Sequence, residues 1–161
     1  MDEQTKLKRK QYEKEWREKN REHLREYKKA YVAKQPEKER ERHRQKSRAY
    51  RATPDGRSNR LYHGAKKRAK NLNMEFTITE EWVAEKVKSG FCEVTGLPFK
   101  LVEGWNQFAP SLDKTDPTKG YTPDNVKVVV WCYNTAKGVG THEDVLVLAR
   151  ALVANNDNQP K

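Results

Sequence analysis

The sequence is poor in cysteine and contains no Cys-x-x-Cys pair. Its two cysteines are Cys92 and Cys132. Two cysteines cannot build the disulfide framework that stabilises small secreted domains, and reduced thiols are typical of an intracellular protein. A structural zinc site made of two cysteine pairs is excluded as well, because neither pair is present. These absences predict a cytoplasmic protein without structural zinc.

Long hydrophobic runs are also absent. Only 34% of the 161 residues are hydrophobic and 35% are charged. No window approaches the ~20 consecutive apolar residues that a membrane span requires, and the N-terminus is hydrophilic, unlike a signal peptide. We therefore expect no membrane association, and we do not expect one hydrophobic core to extend over the whole chain.

Positive charge is concentrated in the first part of the chain. Residues 1–70 hold 25 Lys and Arg against 11 Asp and Glu, whereas residues 71–161 hold 9 against 12. Such asymmetry is typical of a basic appendage that binds a polyanion and is attached to a nearly neutral folded module. The basic part has no broad apolar face for a membrane surface, so DNA is the expected partner.

Residues 1–56 are predicted to form a charged helical arm. The stretch 3–34 has no Gly or Pro, and its aromatic residues form one narrow stripe. Pro36 and the run Pro54-Asp55-Gly56 should divide the arm, with a helix near 37–52. Either the arm is a solvated helix that aids solubility, or its cations and those of the next helix follow DNA phosphates. The candidate phosphate contacts are Arg42, Arg44, Lys46, Arg48, Arg57, Arg60, Lys66, Lys67, Arg68 and Lys70.

The remaining chain alternates helical and extended patterns, which predicts an α+β module over 57–155 and a disordered tail over 156–161. Helices are expected at 58–73, from Thr79 to Lys88, at 131–137 and after Thr141. Extended segments are expected at 76–78, 99–102, 108–112 and 126–130. Trp105 and Trp131 are expected in the core, and His63 and His142 at the surface.

One segment carries a set of polar residues at fixed spacing. Asp113 should end one short strand, Asn125 lies in a turn-rich loop, and Asn134 and Lys137 lie on a short helix after the next strand. Together with the segment Cys92-Glu-Val-Thr-Gly-Leu-Pro-Phe99, this arrangement resembles the HNH (ββα-metal, His-Me finger) nuclease family, and in particular its small phage-encoded members. The resemblance covers roughly residues 58–152.

The resemblance implies roles for these residues. Asp113 and Asn134 would hold one Mg²⁺ or Mn²⁺, for which oxygen ligands are suited. Asn125 would tie the loop together, and Lys137 would lie near the phosphate. Lys114 stands where most members have the general-base His, and a protonated lysine stabilises charge rather than activating water. The base is left open between water at the metal, Asp116 and a substrate phosphate.

The resulting expectation is a metal-dependent DNA endonuclease that hydrolyses phosphodiester bonds, with Asp113, Lys114, Asp116, Asn125 and Lys137 at its catalytic site. The alternative is a DNA-binding or phage-morphogenesis accessory protein that keeps the nuclease scaffold without its activity. Metal-dependent nicking of plasmid DNA distinguishes the two.

Overall fold

The computed structural model describes residues 2–157, which fall into two units, one ending at Gln45 and the other beginning at Lys46. The first contains α1 (Glu3–Lys19), α2 (Arg21–Lys34) and most of α3 (Glu37–Arg51). The second contains α4 (Pro54–Asn71), α5 (Glu80–Lys88), β1 (Pro110–Lys114), β2 (Val126–Val130), α6 (Trp131–Lys137) and α7 (His142–Asp157). The chain is therefore α+β. Because α7 reaches Asp157, the tail predicted for 156–161 is helical at its first two residues, and the rest of it lies outside the described residues.

The helices of the arm have no core. None of the described residues of α1, α2 or α3 is buried, and the predicted aromatic stripe is exposed. The uninterrupted helical pattern over 3–34 divides at Asn20, whose side-chain amide donates to Trp16 O at 2.8 Å. An asparagine side chain that bonds to the backbone in this way competes with the helical ladder. Propensity and local ion pairs, rather than burial, stabilise these helices.

Helix α4 begins four residues earlier than the sequence suggested. Thr53 is its N-cap and accepts a hydrogen bond from Gly56 N at 3.1 Å, and Pro54 occupies the first helical turn. Proline is favoured there because the missing N–H has no intrahelical partner in any case. A Cβ at Gly56 would lie 2.0 Å from Tyr50 O, so this close approach requires glycine. For α5 the expected cap is confirmed, since Thr79 Oγ1 accepts from Trp82 N at 3.1 Å.

Strands β1 and β2 form an antiparallel pair in which Pro110 lies opposite Val130 and Lys114 opposite Val126. Two predicted extended segments do not form strands. Of residues 76–78, Phe76 makes a single bridge to Tyr121, and residues 99–102 have no strand ladder. The predicted strand at 108–112 is displaced to Pro110–Lys114, so Asp113 lies inside β1 rather than after it.

The two faces of this small sheet pack against different helices. Leu112, Val126 and Val128 belong to the core cluster that contains Ala65 and Ala69 of α4 and Val83 and Val87 of α5. Val129 belongs to a second cluster with Val130, Cys92 and Tyr133 of α6. Because side chains alternate along a strand, Ser111 and Asp113 point to the face opposite Leu112, where α6 lies. Among residues 2–157, no helix is both long and apolar enough to cross a membrane.

Candidate active site

Asp113 and Lys137 form a buried ion pair. Lys137 Nζ lies 3.1 Å from Asp113 Oδ1, and the two side chains are 3% and 6% exposed. The carboxylate comes from β1 and the ammonium from the last turn of α6, 24 residues later. Burying a charge away from water is unfavourable, and in this pair each charge compensates for the burial of the other.

The outer edge of β1 presents carbonyls that have no partner from β2. Trp131 N donates to Ala109 O at 2.9 Å just before the ladder begins. Since hydrogen-bonded pairs alternate along an antiparallel ladder, the odd-numbered residues of β1 exchange bonds with β2. The carbonyls of Leu112 and Lys114 therefore point away from β2.

Two side chains of α6 satisfy these carbonyls. Asn134 Nδ2 donates to Leu112 O at 3.0 Å and to Ser111 Oγ at 2.8 Å. Lys137 Nζ donates to Lys114 O at 2.9 Å. Positions three apart on a helix lie on one face, which places both donors along the edge of β1. Asn134 and Lys137 thus fix α6 against the strand that carries Asp113.

Asn125 organises the loop between the strands. Its Oδ1 accepts from Asp116 N at 2.9 Å, and its Nδ2 donates to Asp116 O at 3.1 Å and to Gly120 O at 2.9 Å. A Cβ atom at position 120 would lie 2.3 Å from Glu75 O. Only glycine therefore allows the loop to pack this closely against the backbone of Glu75. The loop is ordered by one buried amide.

Asp116 forms a turn within this loop. Its Oδ1 accepts from Thr118 N at 2.9 Å and from Thr118 Oγ1 at 2.6 Å. These bonds from Thr118 stabilise the charged form and lower the pKa of the Asp116 carboxyl, with a smaller contribution from the charge of Lys119. A carboxylate held in this way is a poor proton acceptor.

Lys114 is directed into the loop. Its Nζ donates to Pro117 O at 2.6 Å and to Lys119 O at 3.1 Å, lies 3.3 Å from Met74 Sδ, and faces the Tyr121 ring at 5.3 Å. Alternation along β1 points this side chain away from Asp113. Of the five residues predicted for the catalytic site, the structure brings Asp113 and Lys137 together. Asp116 and Asn125 lie in the adjoining loop, and Lys114, at the end of β1, directs its side chain into that loop.

A cleft of about 440 Å³ opens over the ion pair. Its polar lining comes from several elements, and includes Glu93, Asp113, Lys127, Tyr133, Lys137 and His142. Glu93 is engaged already, because Oε2 accepts from Val128 N at 2.6 Å and Oε1 from Lys86 Nζ at 2.6 Å. The cleft therefore combines a carboxylate, an ammonium, a phenol and an imidazole.

Tyr133 and His142 were not predicted as site residues. Tyr133 Oη lies 3.1 Å from His142 Nδ1, and the tyrosine is buried. Burial raises the pKa of the Tyr133 hydroxyl, and the negative charge of Asp113 raises it further. The sequence indicated a helix beginning near Thr141, but no pattern in it indicated that the first turn of that helix would lie beside Asp113.

The expectation that Trp105 and Trp131 lie in the core is wrong. Trp105 is 66% exposed and Trp131 37% exposed. Their rings pack edge to face with centroids 5.2 Å apart. This small sheet buries valines on both faces and leaves the two indoles at its end.

Two side-chain oxygens near the edge of β1 are of the type that a hard divalent cation takes. Asp113 Oδ2 and Asn134 Oδ1 accept no hydrogen bond from any residue of 2–157. Mg²⁺ is commonly held by one or two protein oxygens, with water and substrate phosphate completing its shell. Within the described chain, no three His, Cys, Asp or Glu side chains are grouped to hold a metal. Asp113 and Asn134 are therefore the protein ligands that the site could offer.

The predicted phosphate contacts on α3 are partly engaged. Arg42 pairs with Glu39, and Arg44 pairs with Glu37 and Glu41. Hydrogen bonds to Glu41 and Glu37 raise the pKa of Arg44. Exposed pairs of this kind contribute little to stability.

Helix α4 carries the other large group of cations. Arg68 Nε donates to Tyr121 Oη at 3.0 Å, and Lys66 Nζ lies 3.4 Å from Tyr62 Oη. Burial, and then the charge of Arg60, lower the pKa of Arg57. Lys67 and Lys70 are exposed and form no ion pair with any residue of 2–157.

Comparison with known proteins adds one structural neighbour. No protein-family model matches the chain, and no curated protein matches it. Among solved structures, the chain is similar to the rare-cutting HNH restriction endonuclease PacI, with a TM-score of 0.46 and 16% sequence identity. The similarity covers 59% of this chain and 75% of that chain.

Proposed function

We propose that this protein is a metal-dependent DNA endonuclease of the HNH type found in phages, which hydrolyses phosphodiester bonds. The observation that carries the proposal is the buried pair of Asp113 and Lys137 at the base of a polar cleft. A carboxylate with one oxygen paired and the other free is suited to hold a cation, and a neighbouring ammonium is suited to a phosphate.

In this proposal Asp113 and Asn134 hold Mg²⁺ or Mn²⁺ through their free oxygens. When bound, the ion polarises the scissile phosphate and stabilises the leaving oxygen. Lys137 orients Asp113 and adds positive charge where the substrate phosphate enters. No structural zinc is needed for this site.

The loop residues support the site from outside the cleft. Asn125 holds the loop through three hydrogen bonds, and Lys114 holds it through two carbonyls. Asp116 forms the turn between them. We assign these three residues to keeping the end of β1 in position, so that Asp113 stays aligned with α6.

DNA binding is assigned to the cations of α3 and α4. Lysine and arginine that neutralise phosphates release counterions, which gives affinity that is independent of sequence and sensitive to salt. These two helices would then hold duplex DNA while the site around Asp113 acts on it.

The test is nicking of supercoiled plasmid with Mg²⁺, with Mn²⁺ and with a chelator, by the parent and by Asp113→Asn. Asparagine keeps the shape of the side chain and removes its charge. We expect cleavage only by the parent and only with metal, with DNA affinity unchanged in the variant.

A second candidate is a DNA-binding accessory protein without activity. It is favoured by the ion pair itself, because the Lys137 ammonium already neutralises Asp113. In addition, no three His, Cys, Asp or Glu side chains of the described chain are grouped to hold a metal. A parent protein that binds DNA and never cuts it with either metal would establish this alternative.

A further inference from the structure

An imidazole and a phenol are in contact at the wall of the cleft. His142 is the first residue of α7, and its Nδ1 lies 3.1 Å from Oη of Tyr133 on α6. Both residues line the same cavity as Asp113 and Lys137. Since Nδ1 is occupied by Tyr133, Nε2 is the ring nitrogen left for a substrate.

The other groups near the reacting position are unsuited to accept a proton. Lys114 donates to loop carbonyls, Asp116 accepts from Thr118, and Lys137 is paired with Asp113. Imidazole is the side chain that titrates near neutral pH and therefore both accepts and releases protons there.

We propose that His142 is the proton acceptor of the hydrolysis and that Tyr133 is its positioning residue; this rests on the proposed function. The Nδ1–H of His142 donates to Tyr133 Oη, which leaves the Nε2 lone pair free. The water oxygen forms the new P–O bond while one water proton passes to Nε2. The bond from phosphorus to the leaving oxygen breaks with its electron pair, and that oxygen takes a proton from solvent.

Several charged groups act on this imidazole. The cleft presents carboxylates and ammonium groups of both signs, namely Glu93, Asp113, Lys127 and Lys137. On its own helix the neighbouring acidic residues are Glu143, which pairs with Arg150, and Asp144, which caps the helix by accepting from Thr141. The negative groups favour the imidazolium that forms in the step, and the ammonium groups oppose it.

The test compares three variants of the full-length protein in plasmid cleavage. His142→Ala should cut at least ~100-fold more slowly, the usual size of a general-base contribution. Free imidazole in the buffer should restore part of that loss. His142→Asn retains a donor for Tyr133 Oη but has no proton acceptor, so it should be as slow as the alanine variant. Asn155→Ala, at an exposed position near the end of α7, is the control and should cut at the parent's rate.

The Tyr133 variant separates positioning from packing. Tyr133→Phe removes the hydroxyl that His142 Nδ1 contacts, so it should cut more slowly than the parent but faster than His142→Ala. Because the imidazole of His142 is still present in Tyr133→Phe, free imidazole in the buffer should not raise its rate. If the parent cuts DNA and His142→Asn cuts equally fast, the imidazole is only a packing group and the inference is overturned while the proposed function stands. A parent that cuts no DNA with either metal overturns both.

Discussion

Lys137 Nζ lies 3.1 Å from Asp113 Oδ1 and 2.9 Å from the carbonyl of Lys114, the residue that follows Asp113 on β1. One ammonium therefore binds both the side chain and the strand that position the carboxylate. The contact between Lys137 and Asp113 could take part in catalysis, and it also fixes α6 to the sheet. Measurements of folding stability beside cleavage rates can separate its contribution to the fold from its contribution to catalysis.

The first prediction concerns this ion pair. Asp113→Ala and Lys137→Ala should each lower the free energy of unfolding by about 3–5 kcal/mol, because each leaves a buried charge without its partner. Asp113→Ala combined with Lys137→Ala should cost clearly less than the sum of the two single changes, since no unpaired charge remains. Urea denaturation of the four proteins gives the coupling energy.

The exposed pair Glu143–Arg150 is the control for this cycle. Its coupling should be below about 1 kcal/mol, as for other surface pairs. Equal coupling for the buried and the exposed pair would contradict the burial argument.

A second prediction concerns Asn134. Asn134→Ala removes the donor to Leu112 O and should lower the free energy of unfolding by about 1–3 kcal/mol. Cleavage should fall further than this destabilisation explains, and Mn²⁺ should restore part of it because Mn²⁺ tolerates a poorer ligand set. Thr135→Ala, on the exposed side of the same helix, should change neither quantity. Full activity of Asn134→Ala with Mg²⁺ would remove Asn134 from the ligands.

Lys114 gives a third prediction. Lys114→Met keeps the hydrocarbon stem but loses the bonds to Pro117 O and Lys119 O. We expect a loss of about 1–3 kcal/mol in unfolding free energy and a cleavage rate much closer to the parent's than that of Asp113→Ala. Lys114→His tests whether the position also suits a base. A neutral-pH rise in rate that the parent lacks would show that the side chain reaches the substrate after all.

The fourth prediction concerns the basic segments. Replacing the exposed cations of α4 by Lys66→Gln, Lys67→Gln and Lys70→Gln should weaken DNA binding equally on unrelated sequences. If each lysine neutralises one phosphate, the slope of log affinity against log salt should become shallower by about 0.9 for each lysine. Removing residues 2–45 should also flatten the slope, because that unit carries part of the arm.

Circular dichroism should show that the second unit stays folded after this removal, since it contains the whole buried core. An unchanged slope in both proteins would mean that neither segment contacts phosphate.

A fifth prediction follows from the raised pKa of Tyr133, which burial and the charge of Asp113 produce. A phenol that holds its proton more tightly in the folded state contributes stability that is complete below the pKa of the unfolded chain, about 10. That contribution is lost as the pH rises through the higher folded pKa. The parent should therefore lose stability above pH ~10 more steeply than Tyr133→Phe, as measured by urea denaturation at several pH values. If the unfolding free energies of the two proteins fall in parallel as the pH rises, the Tyr133 hydroxyl is not desolvated.

The sequence alone determined the features that depend on neighbours along the chain. Thr79 as an N-cap, the β-branched run of β2 and the short helix ending before Gly138 follow from local propensity and capping, and the structure has all three. The start of α4 was misplaced because Pro54 breaks a preceding helix and also begins the next one. The spacing of Asp113, Asn125 and Asn134 could likewise be recognised from the sequence, because it depends only on which residues stand at fixed distances along the chain.

Only the tertiary structure decided where the side chains of the site point. Alternation along β1 directs Asp113 toward α6 and Lys114 away from it, and the register depends on pairing with a strand twelve residues further on. The approach of His142 to Tyr133 depends on how α7 packs after α6. The exposure of Trp105 and Trp131 depends on how little surface a two-stranded sheet can cover. Contacts of this kind arise from packing between distant segments, so no local pattern in the sequence specifies them.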